Sequence, residues 1–181
     1  MKFSRTWAMP TKDTFDAKPV KEFVQKYLQA SKVSIDPFAR NKDWFTYTND
    51  LNPDTRAQYH LDAREFLNLM AAKNITADLL IVDPPWTCRQ ISECYKGFGM
   101  PVTKETTQIG KLYKEVRNAA MPLLADDAVV LSFGYNSNRM GKKRGFEIVE
   151  IMLVNQGGPH QDIICLAERR LPSGLDAAIK V

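Results

Sequence analysis

This 181-residue chain is poor in the residues that many enzyme classes depend on: it has two histidines, three cysteines and nine glycines. Cys88, Cys94 and Cys165 are odd in number and show no C-x-x-C spacing. That argues against a disulfide framework and a structural zinc, and it fits a reducing cytoplasm. His60 and His160 stand apart from any nucleophile or ligand partner, so no metal is expected. There is no glycine-rich P-loop, no Ser/His/Asp set and no zinc-deaminase pattern, which removes nucleotide hydrolysis and deamination from consideration. The opening residues lead into Trp7, Pro10, Lys12 and Asp13 rather than an apolar run. A signal peptide or membrane span is therefore not expected, and the mature protein is expected to be the whole chain. A large excess of either charge sign is lacking too. A net +4 permits a polyanionic partner without requiring one.

What is present is a strand and helix rhythm. Val20, Phe23, Val24, Tyr27 and Leu28 fall on one helical face, with Pro19 suited to the first turn. Residues 32–35 alternate polar and apolar before Asp36-Pro37, predicting a first strand that ends at Asp36. Residues 44–48, rich in aromatic and β-branched side chains, predict a second, and residues 59–61 a short third. Phe66, Leu67, Met70 and Ala71 mark a helix. Residues 77–82 are nearly continuous apolar sequence, as in a strand covered on both faces of a parallel sheet. Residues 87–102 show no period. Ile109, Leu112, Tyr113 and Val116 mark another helix before a strand at 128–133. Runs at 146–154 and 162–167 are joined by seven residues, too few for a parallel crossover, so that pair is expected to be antiparallel. The sequence thus predicts one α/β domain over 1–181, with 172–181 a loosely attached tail.

Most of the chemical information lies where the apolar strand ends, at Asp83-Pro84-Pro85-Trp86. Ligands of open α/β sheets bind at the carboxyl ends of strands. Adenine's exocyclic amine is a poor nucleophile because its lone pair is delocalised into the ring. Two acceptors aimed at its hydrogens, the Asp83 carboxylate and the Pro84 carbonyl, would help localise that pair. Two prolines fix φ and donate nothing, which holds the carbonyls rigid. Trp86 offers a face for a base swung out of its stack.

The tetrapeptide resembles the [DNS]-P-P-[YFW] motif of amino-directed nucleic-acid methyltransferases. The resemblance implies a Rossmann-like class I fold, with a mostly parallel seven-stranded sheet ordered 3-2-1-4-5-7-6 that ends in an antiparallel hairpin. It also implies S-adenosyl-L-methionine as cofactor and adenine N6 as the methyl acceptor. Lys18-Pro19 resembles the family's Lys-Pro element, and Asp36-Pro37-Phe38 its Asp-Pro-Phe cofactor motif. Asp50 with Leu51 ends strand two, where an acidic residue holds the cofactor ribose. Asp62-Ala63 resembles the Asp-Ala that contacts the cofactor adenine, although a helix N-cap accounts equally for Asp62. The family usually continues Asp-Pro-Phe with a glycine-containing turn, whereas this chain has Ala39-Arg40-Asn41. A non-catalytic methyltransferase-fold binding module is therefore the alternative from another class.

Nucleic-acid contacts are expected from Arg89 and Lys96 in a mobile loop, from Tyr135 and Asn136 lining a base pocket, and from the cationic turn of Arg139, Lys142, Lys143 and Arg144 near the same edge of the sheet. DNA is the expected substrate and RNA the nearest rival, since Trp at the fourth motif position also resembles messenger-RNA adenine methyltransferases. Short chains with this motif order look like bacteriophage and mobile-element enzymes. The absence of a separate target-recognition domain implies relaxed or very short sequence specificity, in or out of a restriction-modification setting.

Overall fold

The computed structural model describes residues 1–103 and 107–172. Its centre is β4 (Ala77–Val82), buried at five of six positions. Such a strand has no solvent face, which is why its sequence does not alternate. It pairs in parallel with β2 (Ser34–Asp36) on one side and β5 (Leu124–Gly134) on the other. Beyond β2 lies β3 (Tyr47–Thr48), also parallel. Beyond β5 comes β7 (Ile163–Arg170), antiparallel both to β5 and to β6 (Phe146–Asn155). The far edge is β1 (Lys2–Trp7), parallel to β6, which gives the order β1-β6-β7-β5-β4-β2-β3.

The sheet is seven-stranded, mostly parallel, and carries the expected antiparallel hairpin, but its membership differs from the expectation at both edges. The third strand is reduced to one bridge between Asn49 and Tyr59. The second keeps two of its five expected residues. The added strand is β1, whose Phe3 and Trp7 are 64% and 59% exposed on an edge with only one neighbour.

Helices cover the two faces. Phe66, Leu67 and Met70 of α2 (Ala63–Ala72) and Tyr113 and Val116 of α4 (Ile109–Ala120) pack with Ile35, Leu80 and Val130 on one face. On the other face, Val20, Phe23 and Val24 of α1 (Lys18–Leu28) meet Leu79, Ile81 and Leu131. Alternate residues of β4 and β5 thus feed opposite cores.

The stretch expected to be aperiodic holds α3 (Cys88–Gly97). Only Ile91 of this helix is buried, so it leaves almost no apolar stripe in the sequence. Its start is instead fixed by a capping box between Thr87 and Gln90. The expected tail lies, beyond Pro172, outside the described residues. Among the described residues no helix is long and apolar enough to cross a membrane.

Candidate active site

At the carboxyl ends of β2, β3 and β4 the chain encloses a cleft of about 560 Å3, closed on one side by the segment from Thr11 to Thr14 that follows β1. All four residues of the Asp83-Pro84-Pro85-Trp86 motif line it. The indole Nε1 of Trp86 donates to Asp83 Oδ1 at 3.0 Å. Gln90 Oε1 accepts from the backbone N–H of Trp86 at 2.7 Å and of Thr87 at 3.0 Å, while Gln90 N–H donates back to Thr87 Oγ1 at 3.1 Å. Prolines supply no donors at 84 and 85, so the side chain of α3's third residue fixes the N–H groups that remain in the loop.

Burial pushes the Asp83 carboxyl above its ordinary value. Hydrogen bonds from Trp86 and Thr14 and the positive charge of Arg40 oppose that rise, and Asp13 adds to it. Asp83 is therefore a desolvated acceptor with one oxygen committed to Trp86.

The half of the cleft below β2 and β3 is built around turns. Asp36 is fully buried; its Oδ1 accepts Phe38 N–H at 2.9 Å and its Oδ2 has no partner. Burial raises its carboxyl well above the ordinary value, and the nearby Asp83 and Asp50 charges add to the shift against the Phe38 bond. Asp36 does not reach the cleft itself. It orients the turn whose Pro37 and Phe38 do.

Arg40 follows with φ of 50°, the left-handed conformation for which the missing glycine would be suited. Its N–H donates to Asp50 Oδ2 at 3.0 Å, and Asn52 N–H donates to Asp50 Oδ1 at 2.9 Å. Asp50 and Leu51 line the cleft. A carboxylate has about four acceptor sites, so each Asp50 oxygen retains capacity for a ligand hydroxyl.

Asp62 caps α2. Its Oδ1 accepts from the N–H and the Nε of Arg64 at 2.9 and 2.8 Å. Of the two roles open to this residue, the carboxylate performs the capping one, while Asp62 and Ala63 also form part of the cleft wall.

Asn49, absent from the expected site, organises these turns. Its buried side chain donates to the carbonyls of Pro37 and Leu61 at 3.1 and 2.9 Å and accepts from Leu61 N–H at 2.9 Å. One amide thus ties together the ends of β2, β3 and the approach to α2. Thr14, Gln90 and the Arg40 to Asp13 ion pair were likewise not anticipated. Only Gln90 carries a sequence signal, as the fourth member of Thr-x-x-Gln.

Several expected contacts lie elsewhere. Lys18 is 87% exposed, pairs with Glu22 and, with Pro19, borders a separate surface groove. Tyr135 and Asn136 follow the carboxyl end of β5 but are not among the residues lining the cleft. Arg89 points to solvent on α3 and pairs with Glu93 at 2.6 Å, and Lys96 is also exposed on that helix.

The cationic turn is at the wrong end of the sheet. Phe146 opens β6 opposite Arg170, five residues before Ile151, which aligns through Leu166 with Ser132 beside Val82. Lys142, Lys143 and Arg144 therefore lie roughly 15 Å below the cleft edge, at the amino ends of the parallel strands. Arg144 there bonds Met140 O and Asn118 Oδ1, and Arg139 O accepts from Arg117.

No protein-family model and no curated protein matches the chain. Solved structures do match it. SMU.776, a candidate methyltransferase complexed with SAH, is 13% identical with a TM-score of 0.57 over 82% of this chain and 49% of that one. TrmN from Thermus thermophilus is 14% identical, with a TM-score of 0.55 over 86% and 49% of the two chains. The N-methyltransferase NodS from Bradyrhizobium japonicum is 8% identical, with a TM-score of 0.51 over 84% and 97%. The chain spans about half the length of the first two. At these identities the likeness establishes the fold, which is the Rossmann-like fold of class I S-adenosylmethionine-dependent methyltransferases.

Proposed function

We propose that the chain transfers a methyl group from S-adenosyl-L-methionine to the N6 amine of adenine in DNA. The observation that carries this reading is Asp83 in its Asp-Pro-Pro-Trp loop, partly desolvated and held by Trp86 at the head of the cleft. S-adenosylmethionine supplies a methyl carbon made electrophilic by a sulfonium. The cleft chemistry fits such a cation, because Asp13, Asp50, Asp62, Asp83 and Glu93 outnumber Lys12 and Arg40 along its wall. The binding of SAH by SMU.776 supports the same assignment.

In this reading Asp50, which lines the cleft, accepts the ribose hydroxyls, and Phe38 with Leu51 supplies apolar wall. The left-handed turn at Arg40 favours catalysis over the binding module, since the backbone shape survives without glycine. On the substrate side, the Asp83 carboxylate and the Pro84 carbonyl accept the two amine hydrogens and concentrate the lone pair on nitrogen. As the N–C bond forms and the C–S bond breaks, the nitrogen sheds one proton toward Asp83 or water.

Trp86 stacks on the extruded base while its Nε1–H stays on Asp83. Backbone phosphates meet Lys12 at the rim and Lys96 and Arg89 on α3, rather than the distant turn of Lys142 to Arg144. DNA is placed ahead of RNA on the motif's likeness alone. With labelled cofactor, transfer to duplex or single-stranded DNA supports the reading. Transfer to RNA alone moves it to RNA, and an absence of transfer together with an absence of cofactor binding refutes the enzyme.

A further inference from the structure

Arg40 is an arginine in a backbone conformation that costs a non-glycine residue roughly 1 kcal/mol. Strain of this kind clusters at sites where the side chain is needed. The turn is pinned by the Arg40 N–H to Asp50 Oδ2, so the guanidinium grows from the residue that flanks the proposed ribose acceptor. From there it reaches to the Thr11 to Thr14 segment, where it pairs with the carboxylate of Asp13 and approaches Lys12 O at 3.5 Å. Asp50 and Asp83 both add to the negative field around it.

Resting on the function proposed above, we infer that Arg40 recognises the α-carboxylate of S-adenosylmethionine, exchanging the Asp13 carboxylate for it. The cofactor's sulfonium and ammonium suit a cleft rich in aspartate, but its carboxylate needs a cation. Lys18, the residue expected to face the cofactor, is turned to solvent and paired with Glu22. Arg40 and Lys12 are the cations lining the cleft among the described residues, and the Arg40 guanidinium is ion-paired with the Asp13 carboxylate in this structure. The planar fork matches a carboxylate through two parallel N–H bonds, which an ammonium does not reproduce. Asp13 thus marks the position and chemistry of the ligand group.

The test is equilibrium binding of three probes to the full chain: S-adenosylmethionine, S-adenosylhomocysteine and decarboxylated S-adenosylmethionine. The wild type is expected to bind the two carboxylates at least about 10-fold more tightly than the decarboxylated probe. Arg40→Gly, which relieves the positive φ, is expected to lose about 10- to 100-fold for the carboxylates and less than about 3-fold for the decarboxylated probe. Arg40→Lys recovers part of the loss, and Asp13→Asn tightens the carboxylates by removing their competitor. Equal wild-type affinity for all three, or an unchanged preference in Arg40→Gly, overturns the role of Arg40 while leaving the methyltransferase reading intact. A wild type that binds none of them removes both.

Discussion

The Nε1 of Trp86 donates to Asp83 Oδ1 at 3.0 Å, so the first and last residues of the motif hold each other. The tryptophan therefore acts on the acid as well as offering a face to a base. Trp86→Phe keeps the ring and removes the donor. Because that bond opposes the upward push of burial on Asp83, its loss raises the carboxyl further. Methyl transfer needs the ionised acceptor, so activity climbs with pH through the Asp83 pKa, from a midpoint above the ordinary 3.8. The acid limb of kcat/KM is expected to move to higher pH in Trp86→Phe. An unmoved limb contradicts the coupling.

Gln90 is expected to matter through position alone. Gln90→Ala leaves the N–H groups of Trp86 and Thr87 without the side chain that accepts them. The loss of a capping interaction costs about 1 kcal/mol. The expected result is a kcat lowered about 10-fold with cofactor affinity within about 2-fold, since Gln90 binds the loop and not the β2 turn. Gln90→Glu retains the acceptor and is expected to rescue most of the loss.

Asp36 gives a stability prediction with a definite sign. Its folded-state carboxyl is raised, chiefly by burial, so the stability it permits is complete below about 3.8 and is lost progressively as pH rises toward its folded value. Asp36→Asn removes the charge that must otherwise be buried. The variant's melting temperature relative to wild type is expected to increase as pH rises above about 3.8, and to level off once pH has passed the folded value. A constant or reversed difference contradicts the assignment of a buried, desolvated acid.

Lys142→Ala combined with Lys143→Ala tests where nucleic acid lies. With the turn roughly 15 Å below the cleft edge, KM for DNA is expected to change less than about 2-fold, whereas Lys96→Ala weakens DNA uniformly and lowers the salt dependence. The opposite ranking would place the substrate across the other end of the sheet.

These residues show what a linear sequence reveals and what it hides. The Asp83 loop was legible because a strand without alternation must be central, and a central strand's carboxyl end is where sites form. Lys142 to Arg144 were legible as a charge cluster, but their end of the sheet depends on β6 starting level with Ala128 of β5, beside the amino end of β4, which residue order does not state. α3 hid because it buries one side chain, leaving Thr87 and Gln90 as its only signature. β1 hid because an edge strand with exposed Phe3 and Trp7 reads as an ordinary polar start. Asp62 shows a different difficulty, since capping a helix and facing a ligand call for the same residue in the same place. Arg40 could not be read because left-handed backbone is expected of glycine, and its tertiary bond to Asp50 sustains the exception.

The central claim is adenine N6 transfer centred on Asp83. Its most direct test is nucleoside mass spectrometry of DNA incubated with the protein and S-adenosylmethionine. N6-methyldeoxyadenosine is predicted with the wild type and not with Asp83→Ala, in a variant that still binds the cofactor. Methylation of another base, or N6-methyldeoxyadenosine formed equally by Asp83→Ala, would contradict it.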